Sequence, residues 1–190
     1  MPEFVPHEAR LIQYALECGL TRVHVRKPGC TAVQLASLLE EIPENLRHCL
    51  SIHDHHELTE IFPDVCIHLN GCNPYLPDGY EGSFSRSCHS FEELEYEPKA
   101  SYSFLSPIFD SVSKEGYASA FSYEDLKRAS DNNIINSKVM ALGGVVPERL
   151  PILRTLGFGG AAMLGYLWSD LNPENIKNHI DAAIYYSQKR

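Results

Sequence analysis

The sequence predicts an α/β fold on a parallel sheet, and two observations carry that expectation. Short apolar, β-branched runs recur along the whole chain, and a helix-like stretch separates most of them, so strands and helices alternate instead of segregating. The strand runs are TRVHVRK (21–27), CLSIHD (49–54), VCIHLN (65–70), GSFSRS (82–87), YSFLSPI (102–108), KVMALGG (138–144) and GGAAMLG (159–165). The helical stretches are HEARLIQYALEC (7–18), TAVQLASLLEEI (31–42), HHELTEIF (55–62), SFEELEYE (90–97), SYEDLKRAS (122–130), PERLPILRTL (147–156) and PENIKNHIDAAIYYSQ (173–188).

Helix starts are marked chemically. Thr31, Ser90, Ser122 and Asn172 stand where a side-chain oxygen can accept from the first free backbone N–H groups, and Pro147 and Pro173 suit first-turn positions that need no donor. The chain start is different. A first helix from about His7 leaves only six residues before it, including Pro2 and Pro6, which suits no central strand. The first strand of a barrel is therefore expected to be missing or truncated. Seven strand–helix alternations fit either a barrel one strand short or an open doubly wound sheet, and pattern alone leaves both open.

With 190 residues, a single domain over 1–190 is expected. Hydrophobic residues at 44% and charged residues at 22% exclude a disordered or fibrous chain. No run approaches the ~20 apolar residues of a membrane span, and the start, MPEFVPHEARLIQ, lacks a signal-peptide profile, so a cytoplasmic location is expected. Six cysteines without a C-x-x-C pair read as reduced thiols. A formal net charge of −9 repels a polyanion, so neither nucleic acid nor membrane is an expected partner. A small phosphorylated substrate would need a local basic cluster, helix amino ends or a metal ion.

Polar residues gather where strands end, the functional side of parallel α/β folds. Arg26 and Lys27 end the first run, Asp54 the second, Asn70 and Asn73 follow the third, Ser87 and His89 the fourth, and Lys114 follows the fifth. Any one of them alone reads as a solvated loop residue; their recurrence weakens that reading. Gly143 and Gly144 end one strand, and Gly157, Gly159, Gly160 and Gly165 surround the next, where backbone amides can approach a phosphate. Tight strand–helix packing explains the same glycines. His53, Asp54, His55 and His56 evoke a metal site, but alternate residues face opposite sides, so they cannot all hold one ion. His24 and His68 read as packed, hydrogen-bonded residues of the strand wall. Cys88 beside His89 makes a poor nucleophile–base pair because adjacent strand residues point apart.

The ordered series HVRKPG, IHDHHEL, IHLN, SRSCHSFEEL, FLSPIFDSVSK, VMALGGV and GFGGAAMLGYLW, from about Val23 to Trp168, resembles the thiamine phosphate synthase and thiazole tautomerase superfamily. The resemblance implies a parallel (β/α)8 TIM barrel that begins here just after its usual first strand. It also implies coupling of an aminopyrimidine methyl diphosphate to a thiazole phosphate in thiamine biosynthesis, a transferase reaction with Mg²⁺ as cofactor. By the same resemblance Asp54 and Asn73 are the metal residues, His53 and Asn73 replacing the family's asparagine and second acid. Arg26, Ser87, His89 and Lys114 carry catalysis, and Arg26, Lys114, Gly143, Gly144 and Gly165 bind substrate phosphates. Lys27 stands only approximately for a family lysine that falls on Pro28. His24, in place of a glutamine, and the run 86–90 lean towards the tautomerase branch, in which His89 moves protons; Asp54 leans towards the synthase. A non-catalytic phosphate-ligand sensor is the third reading, and a homo-oligomer is left open.

Overall fold

The computed structural model describes residues 3–96, 99–110 and 119–189. Seven strands appear among them, in sheet order identical to chain order: β1 (Val23–Val25), β2 (Leu50–Ile52), β3 (Cys66–Leu69), β4 (Phe84–Cys88), β5 (Tyr102–Leu105), β6 (Val139–Ala141) and β7 (Gly160–Ala161). Among the described residues the α-helices are α1 (Glu8–Glu17), α2 (Ala32–Glu41), α3 (Glu44–Arg47), α4 (Phe91–Tyr96), α5 (Tyr123–Asp131), α6 (Leu150–Thr155) and α7 (Pro173–Gln188). The chain is thus α/β, and its seven strands among the described residues are those expected of a (β/α)8 barrel lacking its first strand, not of a complete eight-stranded one. Contacts group it into two compact units, Met1–Ser85 with Leu171–Ile180, and Arg86–Asp170 with Asp181–Arg190.

In the first unit β1 pairs in parallel with β2, and β2 with β3, placing Val23 beside Leu50, His24 beside Ser51, and Ser51 beside Cys66. Alternation then sorts the faces: Val23, Val25, Leu50, Ile52 and Ile67 are buried, while His24 and Ser51 share the opposite parity. Against the apolar residues α1 lays Ile12 and Leu16, and α2 lays Leu35 and Leu39. The spacing of four is one helical face. Helix α2 opens with a reciprocal capping box between Thr31 and Gln34. Ile176 and Ile180 of α7 are fully buried.

Residues 3–7 form no strand. The segment is tied down instead by Lys27, only 2% exposed, which ion-pairs with Glu8 at 2.5 Å, donates to the Glu3 carbonyl at 2.7 Å and lies 4.7 Å from the Phe4 ring centre. Lys27, expected at the functional end of its strand, is spent on the fold.

In the second unit β5 pairs in parallel with β6, and β6 with β7. Leu105, Ile108, Leu126, Val139, Ala141 and Leu153 belong to its core. Ser122 and Asp125 form the capping box of α5. Two expected helices are tighter than foreseen. Residues 55–62 yield a 3₁₀ turn, His56–Glu60, because His55 sits in the left-handed region at φ 55° and Pro63 follows closely. Residues 147–156 begin as a 3₁₀ turn, Pro147–Arg149, before α6, where Pro151 has no N–H to donate. All six cysteines are free thiols. Among the described residues no helix is long and apolar enough to cross a membrane.

Candidate active site

The first unit brings Asp54 and Asn73 together. Asn70 builds the platform: its side-chain oxygen accepts from the N–H groups of Cys72 (2.9 Å) and Asn73 (3.2 Å), while its amide donates to the His53 carbonyl at 3.0 Å. This Asx turn presents Asn73, whose NH₂ donates to the same carbonyl at 2.9 Å and to Asp54 Oδ1 at 3.0 Å. Asp54 Oδ2 is buried and meets no hydrogen-bond partner among the described residues. The carboxylate lines a cavity of about 300 Å³, together with Cys30, His55, His56, Glu57 and Asn73. His55 Nε2–H donates to the Cys30 carbonyl at 2.7 Å, and Nδ1 lies 3.1 Å from Glu57 Oε1. The carbonyl bond, then Glu57, raises the His55 pKa. Burial lowers that of His56, whose Nε2 lacks a partner among the described residues.

A desolvated carboxylate oxygen with no donor is a position that a hard cation satisfies, and Mg²⁺ commonly takes only one or two protein carboxylates. Asp54 therefore fits the ion. Asn73 has both amide hydrogens committed, which leaves its carbonyl oxygen as the ligand atom. Arg26 follows β1 and is exposed.

Three histidines meet on the other parity of the same strands. His24 Nδ1 lies 2.9 Å from His53 Nε2, and His68 Nδ1 lies 2.8 Å from Ser85 Oγ. The His53 and His68 rings stack with centres 4.1 Å apart, and His24 stands edge-on to both. Burial, then neighbouring positive charge, holds all three well below the usual imidazole pKa, His68 at about 3. The hydrogen-bonded wall role expected for His24 and His68 is present. Their convergence with His53 was missed; the signal lay in pairing parity, which needs the register.

In the second unit Ser87 is half-buried on β4 and His89 follows it, exposed. His89 Nδ1 lies 3.0 Å from the Ser106 carbonyl oxygen. A carbonyl only accepts, so Nδ1 carries the hydrogen and Nε2 keeps the lone pair of a base. The His89 backbone N–H donates to Glu93 Oε2 at 2.7 Å, and Glu93 N–H to Ser90 Oγ at 3.3 Å, which fixes the start of α4. Cys88 is fully buried and its thiol pKa is raised by burial, so it is no nucleophile. Gly143 (φ 92°) and Gly144 (φ 62°) have a packing reason of their own, since an added Cβ would lie 2.8 Å from Pro107 Cα and 2.2 Å from the Asp110 carbonyl oxygen respectively. Gly165 lies exposed in a turn after β7. Lys114 lies outside the described residues.

In each unit, parallel strands with polar residues following their carboxyl ends are the arrangement of α/β barrel-type folds. The profile of the thiamine monophosphate synthase family matches residues 5–167, and the chain belongs to that family. A thiamine phosphate pyrophosphorylase structure from Bacteroides thetaiotaomicron is 36% identical, covering 98% of this chain and 94% of its own, with a TM-score of 0.89. One from Pyrococcus furiosus is 16% identical, covering 95% and 89%, with a TM-score of 0.73. A 3-hexulose-6-phosphate synthase, 11% identical over 97% and 96% with a TM-score of 0.58, shares the fold alone. No curated relative matches the sequence significantly.

Proposed function

We propose that the chain is a Mg²⁺-dependent thiamine phosphate synthase, joining an aminopyrimidine methyl diphosphate to a thiazole phosphate with release of diphosphate. The observation that carries this reading is Asp54: Asn73 orients one carboxylate oxygen, and the other is buried without a partner beside a cavity. When bound there, Mg²⁺ supplies neutralising charge for the leaving diphosphate. Asp54 holds the ion and Asn73 holds Asp54. Arg26 and Lys114 meet diphosphate oxygens, and the Ser87 hydroxyl donates to them as negative charge grows. Amides around Gly143, Gly144 and Gly165 take the thiazole phosphate. The thiazole nitrogen already has a free lone pair, so coupling asks no side chain for a base.

His89 favours a second reading, a thiazole tautomerase, because its Nδ1–H is anchored on the Ser106 carbonyl and its Nε2 is left as a base. The two readings separate cleanly. Asp54→Asn and His89→Asn are each given both substrate pairs, with and without chelator, while thiamine phosphate and isomerised thiazole are followed separately. The synthase reading expects coupling to collapse in Asp54→Asn and largely survive in His89→Asn. Metal-independent isomerisation that survives Asp54→Asn and dies with His89→Asn overturns it in favour of the tautomerase. Ligand binding without turnover by the parent protein points to a sensor.

A further inference from the structure

The reaction proposed above gives the side chains of His24, His53 and His68 no role. One ring nitrogen from each of His24, His53 and His68 can be chosen so that all three lie within 4.8 Å of one another. They come from β1, from the residue just past β2, and from β3. The register that sets His24 beside Ser51 and Ser51 beside Cys66 puts His53 and His68 on that same face two residues further on. We propose that His24, His53 and His68 form a binding site for one borderline first-row divalent ion of the Zn²⁺ class, distinct from Asp54.

The donor set is imidazole nitrogen, which suits Zn²⁺, Co²⁺, Ni²⁺ or Cu²⁺ and not a hard oxygen-seeking ion. Nitrogens held about 2.0–2.1 Å from zinc in a tetrahedron lie roughly 3.4 Å apart, so the widest pair here must close by about 1.4 Å. Binding therefore requires the rings to turn from the stacked and edge-on arrangement they hold here. His53 gives an independent pointer: it is only 8% exposed, and its Nδ1 is buried with no partner among the described residues. A neutral imidazole nitrogen so placed can take a metal ion as its partner. Ser85 Oγ beside His68 Nδ1 can accept its hydrogen and turn Nε2 towards the metal, the usual outer-shell arrangement for a histidine ligand. Arg22 acts on His24, and Arg26 on His53 and His68, so positive charge surrounds the cluster. That charge opposes any cation here, so the three nitrogen bonds, with an anionic oxygen in the open fourth position, must outweigh it.

The test uses the whole chain, stripped with a chelator that is then removed, and Co²⁺ as the spectroscopic probe. The expected result is one equivalent of cobalt with the intense visible bands of a tetrahedral site, bleached by one equivalent of Zn²⁺ and kept in Asp54→Asn. His24→Gln and His53→Asn should each weaken cobalt binding by more than about 10²-fold, and Ser85→Ala by ~10–100-fold, the usual cost of an outer-shell partner. Circular dichroism confirms that each variant is folded. The parent protein is decisive even if a variant fails to fold: no tetrahedral bands at one equivalent overturns the proposal, as do bands that persist in folded His24→Gln and His53→Asn. Loss of the bands in Asp54→Asn would move the ion to the carboxylate and equally overturn it. Coupling activity is no part of this readout, so failure of the synthase reading leaves the outcome distinct.

Discussion

Replacing Glu8 with glutamine should be among the most damaging single-atom changes in the first unit. Lys27 Nζ has three acceptors, Glu8 Oε1 at 2.5 Å, Glu8 Oε2 at 2.7 Å and the Glu3 carbonyl at 2.7 Å, and the two side chains are 1% and 6% exposed. Glu8→Gln keeps the shape but leaves a buried ammonium without a counter-charge. Removing one partner of a buried pair typically costs ~3–5 kcal/mol, whereas replacing both by apolar groups of similar volume is often neutral or stabilising. With a urea slope of ~1–3 kcal/mol/M, the single change should lower the unfolding midpoint by roughly 1 M or more. Glu8→Gln with Lys27→Met should recover most of that loss. Urea unfolding followed by far-ultraviolet circular dichroism and by the fluorescence of Trp168 provides the comparison. The reasoning is refuted if Glu8→Gln stays within about 1 kcal/mol of the parent, a size typical of surface pairs, or if the double variant is no better than the single.

Gly144→Ala should cost about 2 kcal/mol or more, because its Cβ would lie 2.2 Å from the Asp110 carbonyl oxygen at a left-handed φ, whereas Gly71→Ala, with nothing within 4 Å, should stay within ~0.5 kcal/mol; thermal unfolding compares them. Acid should destabilise the metal-free protein through the histidine cluster. His24, His53 and His68 have folded pKa values below their unfolded value, so their contribution is whole above about pH 6.5 and is lost as pH falls towards the folded value, about 3 for His68. Each contributes up to ~1.4 kcal/mol per pH unit, so the stability curve of His68→Gln should be shallower than the parent's between pH 6 and 4; parallel curves would contradict this. Lys114→Ala should lower turnover by ~10²-fold or more while changing stability by under ~0.5 kcal/mol, and unchanged coupling kinetics would remove Lys114 from the reaction.

What depends on neighbours along the chain was legible before any folding. Period-two and period-four patterning set the strands and helices of both units, and Thr31 and Ser122 mark their helix starts because a cap needs only a backbone N–H three residues away. The ordered motifs were sufficient for the family, and through that resemblance Asp54 and Asn73 were named together as metal residues; the bond between them, across 19 residues, is seen only in the structure. That residues 3–7 form no strand was also readable, from the shortness of the segment and its prolines. How each polar residue is spent follows from strand pairing in three dimensions. Lys27 and Arg26 are adjacent at a strand end, yet alternation buries Lys27 against Glu8, 19 residues away, and leaves Arg26 exposed. His24, His53 and His68 are far apart in the chain, and nothing local marks them as a group. They meet because parallel pairing puts residues of equal parity side by side on one face, and a one-residue slip in that register would send each ring to the opposite face.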